Sequence, residues 1–151
     1  MIKGVSFSTP QAFDHILQRI FKTVDVEKYD WYIIRNQTEV WSESGNQDFF
    51  AREKYSGTDF SDLIALKHKI VFLKLQAYVQ AKKCDNIQTY PEFQSSDCQM
   101  LLLISDCELV EIYSKSESVL SEIYKNAVSE KFMDIVYITD QNDCRNTMDI
   151  L

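Results

Sequence analysis

Two histidines and four cysteines offer the widest range of chemistry in this chain, and their placement limits it. His15 lies opposite the apolar stripe of a predicted helix, so its side chain is expected to be exposed and not to act as a base in a pocket. His68 lies between a short predicted helix and a strand, so it is the candidate base of a cleft, although a helix C-terminus also favours a plain cation there. The cysteines form no C-x-x-C pair, which disfavours structural zinc and favours reduced thiols.

The sequence Ser-Asp-Cys occurs twice, at 96–98 and 105–107, on either side of a predicted buried strand. A strand of that length spans about 17–20 Å, too far for shared metal ligands, so no metal site is predicted. The glycines form no phosphate-binding loop, and no cofactor is predicted. The remaining catalytic hypothesis is a small-molecule-binding protein or small enzyme with a cleft near His68 and Cys107.

The excess of negative over positive charge lies entirely in the second half of the chain. Residues 1–80 hold ten Lys or Arg and ten Asp or Glu, whereas residues 81–151 hold six and thirteen, which accounts for the whole net charge of -7. Such a surface repels nucleic acid and anionic membranes, because both are polyanions. It favours a basic protein partner instead.

Two groups of residues are the candidates for binding that partner. Acidic residues near predicted strand ends, which one edge of a sheet could gather, form the first group: Asp97, Asp106, Glu108, Glu111, Asp140 and Asp143. The second is aromatic and includes Trp31 and Trp41, since aromatic side chains often anchor interfaces. The leading hypothesis is therefore a non-catalytic, immunity- or inhibitor-like binding protein with an acidic surface. The alternatives are a solvated acidic face and aromatic residues that simply belong to the core.

The elements that must position these residues follow from hydrophobic periodicity. Helices are predicted from Pro10 to about Lys22, from a cap at Thr58 or Asp59 through Leu66, and from Ser116 or Ser118 to about Lys131. Strands are predicted at 2–7, 31–35, 38–41, 70–79, 99–104, 108–113 and 133–139, with 31–41 as a hairpin and with the strand at 133–139 parallel to that at 108–113. In the strand at 70–79, Lys74 and Gln76 are assigned to a solvent-exposed face. The fold class is α+β, one mixed, mainly antiparallel sheet of about six to seven strands with two long and one or two short helices.

The chain is expected to form one globular domain over 1–151. Residues 80–97 are predicted to be a loop with one helical turn around Glu92, and 140–151 a polar tail that is loose. The longest apolar run, 100–104, is too short to cross a membrane, and the first residues lack a secretory pattern, so a cytoplasmic location is expected.

Several stretches of this chain resemble a family of short, single-domain bacterial proteins that is classed as a domain of unknown function. They are Gly4-Val5-Ser6-Phe7, Ser96-Asp97-Cys98-Gln99, Val110-Glu111-Ile112-Tyr113, Ile123-Tyr124-Lys125-Asn126-Ala127 and Tyr137-Ile138-Thr139-Asp140. The resemblance runs over nearly the whole length and implies a bacterial, cytoplasmic protein. It supplies no activity and no catalytic residues.

Overall fold

A computed structural model describes residues 1–79 and 84–150 and has an α+β fold, as predicted. Its strands are β1 (Ile2–Ser8), β2 (Asp30–Ile33), β3 (Glu39–Ser42), β4 (Lys54–Tyr55), β5 (His68–Tyr78), β6 (Cys98–Ser105), β7 (Leu109–Ser114) and β8 (Met133–Thr139). Its helices are α1 (Ile16–Ile20), α2 (Gly57–Ile64), α3 (Tyr90–Ser95) and α4 (Glu117–Ser129). The strands form one sheet in the order β4-β2-β5-β6-β7-β1-β8, with β3 also paired to β5.

The predicted hairpin at 31–41 is wrong, because β2 and β3 do not pair with each other. Both run antiparallel to β5, β2 along 75–78 and β3 along 68–72. A 3-10 turn at Arg35–Gln37 separates them, and on either side of it Ile34 and Thr38 hydrogen-bond to the backbone of Lys74. The chain therefore continues along β5 as one interrupted strand.

Strands β7 and β8 point in the same direction, as predicted, but they are not neighbours. Each pairs antiparallel with β1, which lies between them. Helix α4 makes the connection from β7 to β8, and the side chain of Ser116 caps its first turn by accepting a hydrogen bond from the N–H of Val119.

The first face of the sheet is covered by α1, α2 and α4 and carries the main apolar core. Trp31 is 1% exposed in this core, stacks on Phe60 with ring centroids 4.4 Å apart, and donates its indole N–H to the carbonyl of Val26.

Helix α1 is much shorter than the predicted helix that begins at Pro10. The backbone of Thr9 donates to the carbonyl of Glu108, and Asp14 and His68 exchange two backbone hydrogen bonds of 3.0 and 3.1 Å. These long-range pairs hold residues 9–14 out of the helix, so the apolar periodicity is used only over Ile16–Ile20.

The second face of the sheet is covered too, so the prediction that Lys74 and Gln76 face solvent is wrong. Both side chains are fully buried. Helix α3, the residues on either side of it and the segment 140–150 cover this face. Residues 80–83 of the predicted loop lie outside the described residues.

Candidate functional site

The acidic candidates do not form one patch. Asp97 is exposed just before β6, whereas Asp106 and Glu108 are exposed at the turn after it. A strand of this length separates its two ends by about 25 Å. These three residues therefore cannot meet one small epitope together.

The other three acidic candidates contact cations of the same chain. Glu111 lies 2.6 Å from Arg145, and Asp143 lies 2.7 Å from Lys3. Asp140 is 3.7 Å from the amino group of Met1. A role of the six acidic residues in partner binding stays a prediction, but Glu111 and Asp143 have a structural role inside the protein.

The two tryptophans also differ in position. Trp31 belongs to the core, as its burial shows. Trp41 is half-buried on β3 and donates its indole N–H to Glu39 Oε2 at 2.9 Å. Only Trp41 presents part of its ring to solvent.

His68 is a structural histidine and not an open base. Its side chain is fully buried; Nδ1 lies 2.8 Å from the carbonyl of Leu66, and Nε2 accepts the backbone N–H of Leu17 at 3.1 Å. Burial lowers the pKa of His68, so the neutral ring is favoured. Cys107 is half-buried, with its backbone N–H bonded to Val71. Since both ring nitrogens are used, His68 has no free atom to offer a substrate.

A cleft of about 590 Å³ lies on the helical side between α1 and α2. Three of its charged groups are in ion pairs, since Arg19 binds Asp14 and Glu130 at 2.7 Å each and Lys22 lies 3.6 Å from Glu130. The other two, Asp25 and Glu27, are exposed to solvent. This cleft leaves no buried group that requires a ligand.

On the second face of the sheet, the strand register places residues in two rows, and each row includes polar side chains. Lys74, Leu103, Glu111 and Ser6 lie opposite one another across β5, β6, β7 and β1, so their side chains share a face. The neighbouring row contains Gln76, Leu101, Tyr113 and Gly4.

Residues 143–150, here called the crossing segment, run over these rows from β1 to β5. Three ion pairs fix the segment to three different strands: Asp143 to Lys3 of β1 at 2.7 Å, Arg145 to Glu111 of β7 at 2.6 Å, and Asp149 to Lys74 of β5 at 2.9 Å. The tail that was expected to be loose is therefore held against the sheet.

The carboxylate of Asp149 lies in a cradle of three donors. Lys74 Nζ, Gln37 Nε2 and Asn86 Nδ2 approach Asp149 Oδ1 at 2.9, 2.8 and 3.3 Å. Lys74 is 0% exposed and also donates to the carbonyl of Ile87. Gln37 is buried as well, so the cradle is built into the protein and is not a surface contact.

The pKa values of Asp149 and Lys74 depend on each other. Burial lowers the pKa of Lys74, and the hydrogen bond that Lys74 donates to Asp149 opposes that effect only in part. Burial alone raises the pKa of Asp149, but the hydrogen bonds from Lys74, Gln37 and Asn86 outweigh it, so its pKa is lowered. The cradle therefore favours an ionised carboxylate.

The crossing segment contacts the rest of the protein through its main chain as well as its side chains. The N–H of Met148 donates to the carbonyl of Gln88 at 2.8 Å, and the N–H of Ile150 donates to Gln37 Oε1 at 2.7 Å. The side chain of Met148 is buried in the apolar cluster of this face. The side chains of Met148, Asp149 and Ile150, which pack on this face, follow the order apolar–Asp–apolar.

The cradle also contains an acceptor that the crossing segment does not use. Asn86 Oδ1 is buried and has no hydrogen-bond partner within the described residues. A cleft of about 420 Å³ opens beside Asn86 and Ile87 and is lined by Glu92, Ser95 and Asp97, among others.

Among the residues that hold the crossing segment in place, the sequence analysis selected Glu111 and Asp143, because they are acidic, but it missed Lys74, Gln37 and Asn86. Lys74 and Gln76 did give a signal, since they are polar residues in an otherwise apolar strand. That alternation is the same for a solvent-exposed face and for a polar face that another segment covers.

Metal binding and membrane insertion have no support in the described residues. Within 1–79 and 84–150, no three His, Cys, Asp or Glu side chains are grouped as a metal ion requires. In the same ranges, no helix has the length and apolar character needed to span a membrane.

The fold and the site define an antiparallel α+β protein in which a charged segment crosses one sheet face. A family model described as "Protein of unknown function (DUF2691)" matches residues 2–149. The chain therefore belongs to the DUF2691 family, in agreement with the resemblance to a domain of unknown function. It is similar to the uncharacterised protein YncE of Bacillus subtilis (strain 168), with 31% identity over 153 residues, 99% of this chain and 100% of that protein. No solved structure gives a significant match.

Proposed function

We propose that this protein is a non-catalytic binding protein that recognises an extended, acidic segment of a protein partner on the second face of its sheet. In the free protein the crossing segment occupies that site as an internal ligand. Binding then requires an exchange, in which the partner segment displaces residues 146–150.

The observation that supports this proposal best is the cradle around the Asp149 carboxylate. A lysine with no exposed surface is costly to bury, because it loses its hydration, and a hydrophobic residue often fills such a position at no loss of stability. Its presence together with Gln37 and Asn86 is typical of a site that selects a carboxylate. Any occupant must supply that carboxylate, since otherwise Lys74 stays buried without an opposite charge.

The unused acceptor, Asn86 Oδ1, supports an exchange over a permanent structural contact. A ligand with one more N–H in this position satisfies an atom that the crossing segment leaves without a partner. The adjoining cleft beside Ile87 gives a longer segment room to continue.

The sequence predicted a basic protein partner, whereas the partner proposed for this site is a protein with an acidic segment. A basic partner at Asp97, Asp106 or Glu108 stays a separate prediction, and so does a cytoplasmic location. The net charge of -7 still disfavours nucleic acid and anionic membranes as partners.

The test measures binding of a labelled peptide with the sequence of residues 146–151 to the full chain by fluorescence anisotropy. Asp149→Asn weakens the internal ligand and is expected to bind the peptide at least about tenfold more tightly than the wild type does. The matched peptide with Asn in place of Asp is the control for the carboxylate, and Lys74→Met on the Asp149→Asn background is the control for the site. If the folded Asp149→Asn chain does not bind the peptide, or binds both peptides equally, the crossing segment is a fixed part of the fold and the proposal fails.

A further inference from the structure

The side chain of Gln37 contacts two neighbouring positions of the crossing segment. Its Nε2 donates to Asp149 Oδ1 at 2.8 Å, and its Oε1 accepts the backbone N–H of Ile150 at 2.7 Å. Both contacts come from one planar amide, which has its donor and its acceptor at fixed positions. Gln37 therefore binds the carboxylate of one residue and the main chain of the next residue at the same time.

The amide of Gln37 is held in a fixed position. Gln37 is 5% exposed and is the last residue of the 3-10 turn Arg35–Gln37. The residues on either side of that turn, Ile34 and Thr38, hydrogen-bond to the backbone of Lys74. The turn is therefore fastened to β5 at the lysine whose ammonium group binds the same carboxylate.

A ligand must match both ends of this amide. Turning the amide over replaces two hydrogen bonds by two repulsive contacts, because Oε1 then faces the carboxylate and the NH2 group faces the N–H. A proline after the aspartate has no N–H to donate. The N–H of Met148 donates to the carbonyl of Gln88, so the main chain is held before the aspartate as well as after it. A glutamate is then too long for the cradle, because one more methylene moves its carboxylate by about 1.5 Å.

We infer that Gln37 sets the specificity of this site, which selects an aspartate that is followed by a residue with a free N–H. For a partner segment this inference rests on the proposed function, whereas for the crossing segment it does not. The isosteric substitution Gln37→Glu then changes the selected residue from aspartate to asparagine. The new carboxylate repels an aspartate, but it accepts a hydrogen bond from the NH2 group of an asparagine.

The same substitution supplies a charge for the buried lysine. The side-chain nitrogens of Lys74 and Gln37 both contact Asp149 Oδ1, so they lie within about 6 Å of each other, where an opposite charge stabilises the ammonium group. Gln37→Glu and Asp149→Asn are therefore each unfavourable alone and compensate each other when combined.

The first test is urea unfolding of the wild type, Gln37→Glu, Asp149→Asn and the double variant. Each single variant is expected to unfold at a lower urea concentration than the wild type, and the double variant at a higher concentration than either single variant. Gln76→Glu is the matched control, because Gln76 is a buried glutamine of the same face that hydrogen-bonds to Tyr78 and Ile87 instead. Asp149→Asn is expected not to rescue it. A double variant of Gln37 and Asp149 that is less stable than both single variants overturns the inference.

The second test measures peptide binding to the full chain by fluorescence anisotropy, in an Asp149→Ala background that leaves the internal ligand without a carboxylate or an amide. The peptides have the sequence of residues 146–151, with Asp or Asn at the fourth position. The Asp149→Ala chain is expected to bind the Asp peptide at least about tenfold more tightly than the Asn peptide, and the addition of Gln37→Glu is expected to reverse that order. An order that stays the same overturns the inference. If neither peptide binds either chain while the double variant is rescued in urea, the proposed function fails and the selection of Asp149 by Gln37 within the chain is upheld.

Discussion

The substitution Asp149→Asn tests the central contact of the candidate site. The amide keeps the size of the side chain but removes the charge that faces Lys74 at 2.9 Å. Lys74 is 0% exposed, so its ammonium group then stays buried without an adjacent carboxylate. Breaking a fully buried ion pair in this way costs about 3–5 kcal/mol. Because the Asp149 side chain is 22% exposed, solvent screens part of the interaction, and we expect a loss of about 2–3 kcal/mol in the free energy of unfolding.

The substitution Lys74→Met is the matched change on the other side of the pair. It removes the buried charge itself and leaves Asp149 with the Gln37 and Asn86 donors and with contact to solvent. We expect it to cost less than Asp149→Asn, about 1 kcal/mol, because no unpaired buried ion remains. The double variant is expected to be more stable than the sum of the single changes predicts, by about 1–2 kcal/mol.

Urea unfolding of the four chains at about pH 7, followed by circular dichroism, measures these differences. The pKa of Asp149 is lowered in the folded chain. Its contribution is therefore complete above its unfolded pKa and is lost as the pH falls through the folded value. The difference in the free energy of unfolding between the wild type and Asp149→Asn must then become smaller at acidic pH. A loss below about 0.5 kcal/mol in Asp149→Asn, or additive single and double variants, refutes the assignment of Asp149 as the counter-charge of Lys74.

Three further outcomes follow from the packing. Burial lowers the folded pKa of His68 from its ordinary 6.5, so the unfolded chain binds more protons than the folded chain between the two pKa values. The free energy of unfolding should therefore rise with pH up to about 6.5, by at most about 1.4 kcal/mol per pH unit. The variant His68→Gln should flatten that slope. Gly4→Ala places a Cβ 2.3 Å from the carbonyl oxygen of Ile112 and should cost about 3 kcal/mol, whereas Gly45→Ala, in open space at a φ of +90°, should cost about 1 kcal/mol in the same unfolding measurement. Glu111→Gln loses the charge that Arg145 binds and should cost about 1–3 kcal/mol, while the exposed Asp97→Asn should change stability by less than about 0.5 kcal/mol; equal effects would show that Glu111 has no structural role.

The candidate site illustrates where sequence reasoning stops. Glu111 and Asp143 were selected because they are acidic, and the structure places both in the network of the crossing segment. The expected role, a patch that faces solvent, does not describe them, because each binds a cation of its own chain. Asp149 and Lys74 are separated by 75 positions, and nothing in the local pattern around either residue indicates the other.

The sequence by itself determined the helices and strands in which apolar residues recur with a regular period. The apolar run of β6 indicated a strand buried on both faces, and the stripe of α4 with its Ser116 cap indicated the longest helix. Such patterns are local, because the period of apolar residues depends only on the geometry of a helix or a strand.

Only the tertiary structure decided what covers each face. It shortened α1 through the pairing of Asp14 with His68, aligned β2 and β3 along β5, and buried Lys74 beneath the crossing segment. In each case the deciding partner lies far along the chain, so the free energy of the contact appears only once both segments are in place. A lysine that alternates with apolar neighbours has the same sequence pattern in water and in a buried ion pair, and only the segment packed over it separates the two.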